Sequence, residues 1–226
     1  MGTAATSPRK IIRPPSVSEL ALERLRDDIV ADVFKLGEKL SEGQLALRYG
    51  VTKAPIRAAF IRLQGEGLLD VRAQSGTFVF SPDISEVRAL CELRIALETE
   101  AVALAMARNE EKLQRHLSDI FQRMEGCLKR NDKAGYQALD TEYHLAILNA
   151  AQSPMLESTY RAMVNSRFSA LRTRLAVQRK HAENSYAEHK SLIELVGLGR
   201  MKEAQKLLRA HIGRTEEHYI SMLRDK

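Results

Sequence analysis

The 226-residue sequence contains no tryptophan, and aromatic residues make up only 5% of it. That scarcity disfavours a carbohydrate groove or a base-stacking platform, since both need flat aromatic faces. There are two cysteines, Cys91 and Cys127, each set among apolar residues of helical-looking sequence. They read as buried reduced thiols and not as a disulfide or redox pair. Twelve glycines and six prolines are too few for a turn-rich all-β protein. No apolar run approaches the ~20 residues that span a bilayer. Residues 1–15 have no apolar signal core and read as a flexible basic arm carrying Arg9, Lys10 and Arg13. These absences lead to the expectation of a cytoplasmic protein with no membrane partner.

What is present is ordinary for a globular chain: 44% hydrophobic and 28% charged residues. The net charge of +6 permits a polyanionic partner without proving one. The excess splits evenly, +3 in residues 1–80 and +3 in the rest. It is denser in the shorter part, but charge alone identifies nothing.

Periodicity divides the chain. Ser16–Asp32 has apolar residues at Leu20, Leu22, Leu25, Ile29 and Val30, which is helical spacing. Leu36–Leu40 reads as a turn or short extended piece. Ser41 can cap a helix over Glu42–Tyr49, with Gln44 completing a capping box and Gly50 ending it. Thr52 can cap a third helix over Lys53–Gly65, with Pro55 harmless in its first turn. Leu68–Arg72 and Thr77–Phe80 read as short strands. This is the order of a winged helix-turn-helix. After a linker at 81–83, residues 84–226 read as about six helices, at 84–108, 110–130, 133–151, 154–178, 183–198 and 200–224. Their short connections imply an antiparallel bundle. The fold expected is mainly α: a winged helix-turn-helix domain over 16–80 followed by an all-helical bundle for effector binding and dimerisation.

A helix-turn-helix lodges the start of one helix in the major groove. Thr52, Lys53 and Arg57 occupy that start, and Lys53 and Arg57 lie one turn apart, facing base edges or phosphates. Arg48 can hold a phosphate. Gln74 and Gly76, at the hairpin tip, are small and polar enough to approach a minor groove. Two-fold doubling of such a reader implies a homodimer on a double-stranded operator with two-fold symmetry.

All six histidines lie in the second region. Asp140 and His144 are four apart, one above the other on a helix. His189 and His211 fall on two later helices along the apolar stripe. Three imidazoles and a carboxylate would suit Zn²⁺, Ni²⁺ or Mn²⁺, although an Asp–His pair of this spacing is often only a hydrogen-bonded surface pair. For an anionic effector, Arg94 offers a guanidinium within an apolar stretch, or else pairs with Glu98 four residues on. Arg161, Asn165 and Arg172 fall near one face of a later helix, and of these Arg161 and Asn165 are taken as pocket-lining.

Two stretches carry a family resemblance. Gly37–Ala46 followed by Gly50–Ala59, continued by Leu63–Leu69 and Gly76–Val79, resembles the signature of GntR-family transcription regulators. The family's usual Gly-Val-Ser-Arg-Thr-Pro-Val-Arg-Glu-Ala-Leu is altered here at Thr52, Lys53, Ala54, Ala58 and over Ala59-Phe60, while Pro55 and Arg57 stand. The resemblance implies that Lys53 replaces a base-reading arginine. A point charge in place of a bidentate fork implies a different operator. Leu93–Glu98, Leu139–His144, Glu188–Ile193 and Arg209–Ile212 resemble the FCD ligand-binding domain of the FadR subgroup. That resemblance implies that Asp140, His144, His189 and His211 bind a divalent metal and that a small organic acid binds beside it. The function expected is a metabolite-responsive repressor released from its operator by such an acid, and not an enzyme. The alternative is a metal-dependent hydrolase on a helical bundle. It needs a general base near an open metal position, and no His-Glu-x-x-His motif accompanies the histidines.

Overall fold

The computed structural model describes residues 14–175 and 179–224. The expected basic arm up to residue 13 lies outside them. The N-terminal head comprises α1 (Val17–Val30), β1 (Lys39–Leu40), α2 (Glu42–Tyr49), α3 (Lys53–Gly65), β2 (Leu69–Arg72) and β3 (Gly76–Val79). The strands form one antiparallel sheet in the order β1-β3-β2. Leu69 pairs with Val79 and Arg72 with Gly76, which closes the wing. Short strands like these need a helical backing, and here Leu25, Ile29, Ile56, Leu63 and Leu68 are fully buried in the core of the head. Each such side chain contributes about 1.5–3 kcal/mol.

Local chemistry fixes the head's helix ends. Ser16 and Glu19 form a complete capping box at α1. At α2 only half of the expected box forms: Ser41 accepts from the Gln44 amide. Thr52 occupies the cap position of α3, but its hydroxyl makes no capping bond. Gly50 ends α2 at φ +66°, a left-handed conformation favouring glycine.

The bundle comprises α4 (Ile84–Lys129), α5 (Lys133–Ala150), α6 (Pro154–Tyr160), a π-helical turn over Arg161–Asn165, α7 (Ser166–Leu175), α8 (Arg179–Gly197) and α9 (Met201–Arg224). The break expected at Asn109 is present as a kink inside α4, with φ −163° and ψ 74°. There the Asn109 side chain accepts from the Lys112 amide at 3.0 Å, capping the second half.

Two expectations are corrected. The single helix expected over 154–178 is interrupted by the π turn, and α7 ends at Leu175, with 176–178 outside the described residues. The last-but-one helix begins at Arg179 and not at 183. Residues 179–182 contain no glycine or proline to stop it, and Tyr136 donates to the Ala182 carbonyl at 3.1 Å. Among the described residues no helix is long and apolar enough to cross a membrane.

Candidate functional site

The bundle's polar centre is built from five helices. From α4 come Arg94 and Glu98, and from α5 come Asp140 and His144. Arg172 comes from α7, His189 from α8 and His211 from α9. All are buried. The ligating atoms of His144, His189 and His211 lie within 4.8 Å of one another. Asp140 Oδ1 is 3.7 Å from His189 Nε2, and Oδ2 is 3.9 Å from His144 Nε2.

Tautomers are set from behind. A carboxylate can only accept, so His144 Nδ1 donates to Glu98 at 2.7 Å and His211 Nδ1 donates to Glu188 at 2.6 Å. The lone pairs of both Nε2 atoms are then free to face the centre. His144 Nε2 and both ring nitrogens of His189 are buried without a hydrogen-bond partner. Native interiors rarely leave such groups unpaired. Three nitrogen donors with an adjacent carboxylate fit a divalent ion of intermediate softness.

Electrostatics keep these donors available. Burial, helped by Arg94, pushes the His144 imidazole down to about 4. Burial likewise holds His189 well below the ordinary histidine value. Burial works to raise the Asp140 carboxyl, but Arg172 and the three imidazoles outweigh it and leave it below the usual range. Glu98 is similar: against burial, Arg94 and His144 keep it ionised. Neutral imidazoles beside an ionised carboxylate are what a cation requires.

Next to this centre is a cavity of about 30 Å³ lined by Arg94, Asp140, Phe168, Arg172, His211 and Tyr219 among others. One water needs about 10–15 Å³, so the cavity holds a water or two and no organic acid in this conformation. An open cleft of about 360 Å³ between α8 and α9 adjoins it through His181, Ser185, His211 and Thr215. Arg172 fills the space: it is 2.7 Å from Asp140 Oδ2 and donates to Thr141.

The effector residues expected from sequence divide. Arg94 does pair with Glu98. It also lies over the Phe168 ring at 4.0 Å, and its Nη2 is buried without a partner. Pairing and clamping are therefore compatible. Arg161 and Asn165 are corrected, because they do not reach this cavity. Both line a separate cleft against Arg26, Arg62 and Glu66 of the head, and Arg161 donates to Glu157 at 2.9 Å. The reason is the π turn, which inserts a wide turn and changes the phase of the helix. Arg172 was placed near one face with Arg161 and Asn165 but not taken as pocket-lining, Glu98 was expected only as a partner of Arg94, and Tyr219 and Glu188 were not anticipated. Phe168 lies four residues before Arg172, which was the available signal for an inward face. Of the remaining histidines, His116 is exposed, and His181 and His218 stack on each other at 4.3 Å.

In the head, Thr52, Lys53 and Arg57 are exposed at the start of α3, and Gln74 and Gly76 are exposed at the wing tip. Arg57 is held by Glu42 through two bonds of 3.1 and 2.9 Å. Glu42 was not anticipated. Arg48 leans back toward α1, 3.9 Å from Asp28 and 5.1 Å from the Phe34 ring. Gly76 has φ +115°, a backbone conformation that favours glycine at the wing turn.

Comparison with known proteins agrees with this geometry. The family model of bacterial regulatory proteins of the gntR family matches residues 17–79, and that of the FCD domain matches residues 89–214. An HTH-type transcriptional regulator of Paraburkholderia xenovorans, BphR, is 25% identical over 98% of this chain and 91% of its own. The HTH-type transcriptional repressor RspR of Escherichia coli is 27% identical over 60% of this chain and 59% of its own. The solved structure of E. coli McbR/YncC is 17% identical, with a TM-score of 0.81 over 93% of this chain and 100% of that one, a likeness of fold alone. A winged head joined to a helical FCD bundle defines a DNA-binding transcription regulator, not an enzyme. The chain belongs to the GntR family and carries an FCD domain, a domain known to bind metal ions.

Proposed function

We propose that the protein is a cytoplasmic, homodimeric repressor that a small carboxylate effector releases from a two-fold symmetric DNA operator. The effector binds beside a divalent ion in the bundle. In this reading residues 16–80 read DNA, 81–83 link, and 84–226 bind effector and dimerise. Thr52, Lys53, Arg57, Gln74 and Gly76 face the duplex, and Arg48, half-exposed beside Asp28, turns outward to hold a phosphate. His144, His189, His211 and Asp140 hold Zn²⁺, Ni²⁺ or Mn²⁺. When bound, that ion supplies a positive centre to which a carboxylate can attach. Arg94 and Arg172 supply the guanidiniums that orient it.

The observation that carries the reading is the convergence of His144, His189 and His211 ligating atoms within 4.8 Å, with His144 Nε2 and both His189 nitrogens buried without partners. The name of the relative RspR supports repression. A thermal-shift series tests it: the metal-stripped chain with Zn²⁺, Ni²⁺ or Mn²⁺, each with and without small organic acids. Binding to the folded state raises the transition, by about 2.7 kcal/mol at a hundredfold excess over Kd. A transition unmoved by every metal overturns the pocket.

A further inference from the structure

One helix touches both halves of the molecule. On α7, Phe168 and Arg172 are four apart and face the histidine centre. Arg167 and Arg174 are seven apart and share a different face. Arg167 packs where a Cβ on Gly67 of the head would be, at 3.1 Å. Arg174 goes further. Its Nη2 donates to the backbone carbonyls of Ile29 and Phe34, both at 2.7 Å, bridging the end of α1 to the turn that follows. Its Nε lies 2.9 Å from Asp32 Oδ1, an ion pair and not an aligned hydrogen bond. Asp32 is left-handed at φ +62°, a conformation rare outside glycine. Lys35 also reaches its carboxylate, at 2.8 Å. The Arg174 side chain is 5% exposed. A buried guanidinium from the bundle thus closes a strained turn of the head.

We propose that α7 transmits the state of the metal pocket to the DNA-reading head, with Arg172 as its sensor and Arg174 as its latch. The proposal rests on the pocket reading above and adds its regulation. A cation among the histidines competes with Arg172 for the Asp140 carboxylate, and the small cavity admits no acid while Arg172 lies on Asp140. Either event displaces Arg172. Because α7 starts from a π turn, it can shift without breaking the helix that precedes it. Arg174 then loses its hold on the end of α1, which packs on α3 and so sets the pose of the reading helix. Two arrangements of a packed element, biased at one end and read at the other, are what coupling requires.

Hydrogen exchange by mass spectrometry tests this with Zn²⁺ alone as the probe. The turn's own amides report, since Asp32 N donates to Ile29 O and Val33 N to Asp28 O. In the parent, Zn²⁺ should speed exchange over residues 31–36 by about tenfold, the range of a local opening. Arg174→Ala should bind Zn²⁺ as the parent does, by calorimetry, yet exchange fast with or without it. Arg174→Lys, which keeps the charge but loses the fork, should behave likewise and guards against misfolding of the alanine variant. Zn²⁺ bound with no change at 31–36 overturns the coupling alone. A Zn²⁺ response that survives in both variants also overturns it. A parent that binds no Zn²⁺ overturns the pocket reading, and the coupling with it.

Discussion

At the residue scale, the pocket depends on imidazoles kept neutral by burial. His144 is pushed down to about 4 from an unfolded value near 6.5. Its unfolded form therefore binds a proton in a window where the folded form does not. Stability attached to His144 is complete above pH 6.5 and is lost as pH falls toward 4, at about 1.4 kcal/mol per unit. Glu98 and Asp140, both held low, act in the same direction at still lower pH. Urea midpoints of the metal-stripped protein between pH 7 and pH 4.5 should fall steadily. A flat profile would show that His144 protonates within the folded state. A second expectation concerns metal content. His189→Ala or His211→Ala should lower the zinc retained after dialysis by at least tenfold and should abolish the metal-dependent rise in thermal stability. Zinc retention equal to the parent's, by atomic absorption, removes the site. The four proposed ligands could be named from the sequence because their motifs resemble the FCD domain, the Asp140–His144 spacing alone being equally that of a surface pair. The orienting carboxylates could not, because Glu98 and Glu188 meet their histidines 46 and 23 residues away, a proximity that only packing creates.

At the element scale, periodicity served well where side chains alone decide the local conformation. α2 and α3 were placed to the residue because Gly50 at φ +66° stops one and Pro55 opens the other. The break at Asn109 was legible from the spans on either side of it, and the structure adds that its side chain caps the second half. Asn109→Ala should lower stability by about 1 kcal/mol and Tm by a few degrees. No change in a calorimetric scan would mean that packing alone holds the kink. The π turn was not legible: Arg161–Asn165 contains no glycine or proline, and its hydrogen-bond pattern is set by what α6 and α7 each pack against. Missing it placed Arg161 and Asn165 on the wrong side of the bundle. In the head, Arg57 is pre-set by Glu42. Arg57→Ala should weaken duplex binding by about 10–100-fold, the value of a good base or phosphate contact, with the far-ultraviolet circular dichroism unchanged. Undiminished binding in a gel shift would remove α3 from the groove.

At the scale of the whole molecule, the two halves share one core. The core runs without a break from Leu25 and Ile56 in the head to Val102, Tyr143 and Ile212 in the bundle. Net charge permits contact with DNA without singling out the head, so the proposed selectivity rests on a few side chains at one helix start and one wing tip. Order along the chain made this division readable: mixed short elements before Ser81, long helices after it. What order could not reveal is the contact between α7 and the end of α1, which joins residues 140 or more apart in sequence.

The central claim is that a ligand in the bundle governs DNA binding by the head. The most direct measurement is the affinity for a duplex selected from random sequence by the protein itself, taken with Zn²⁺ across a series of mono-, di- and tricarboxylates. An acid in the series should weaken binding by about tenfold or more, a coupling within the usual 1–3 kcal/mol, and His189→Ala should lose the effect. Equal affinity in every acid, or equal weakening in parent and variant, would contradict it.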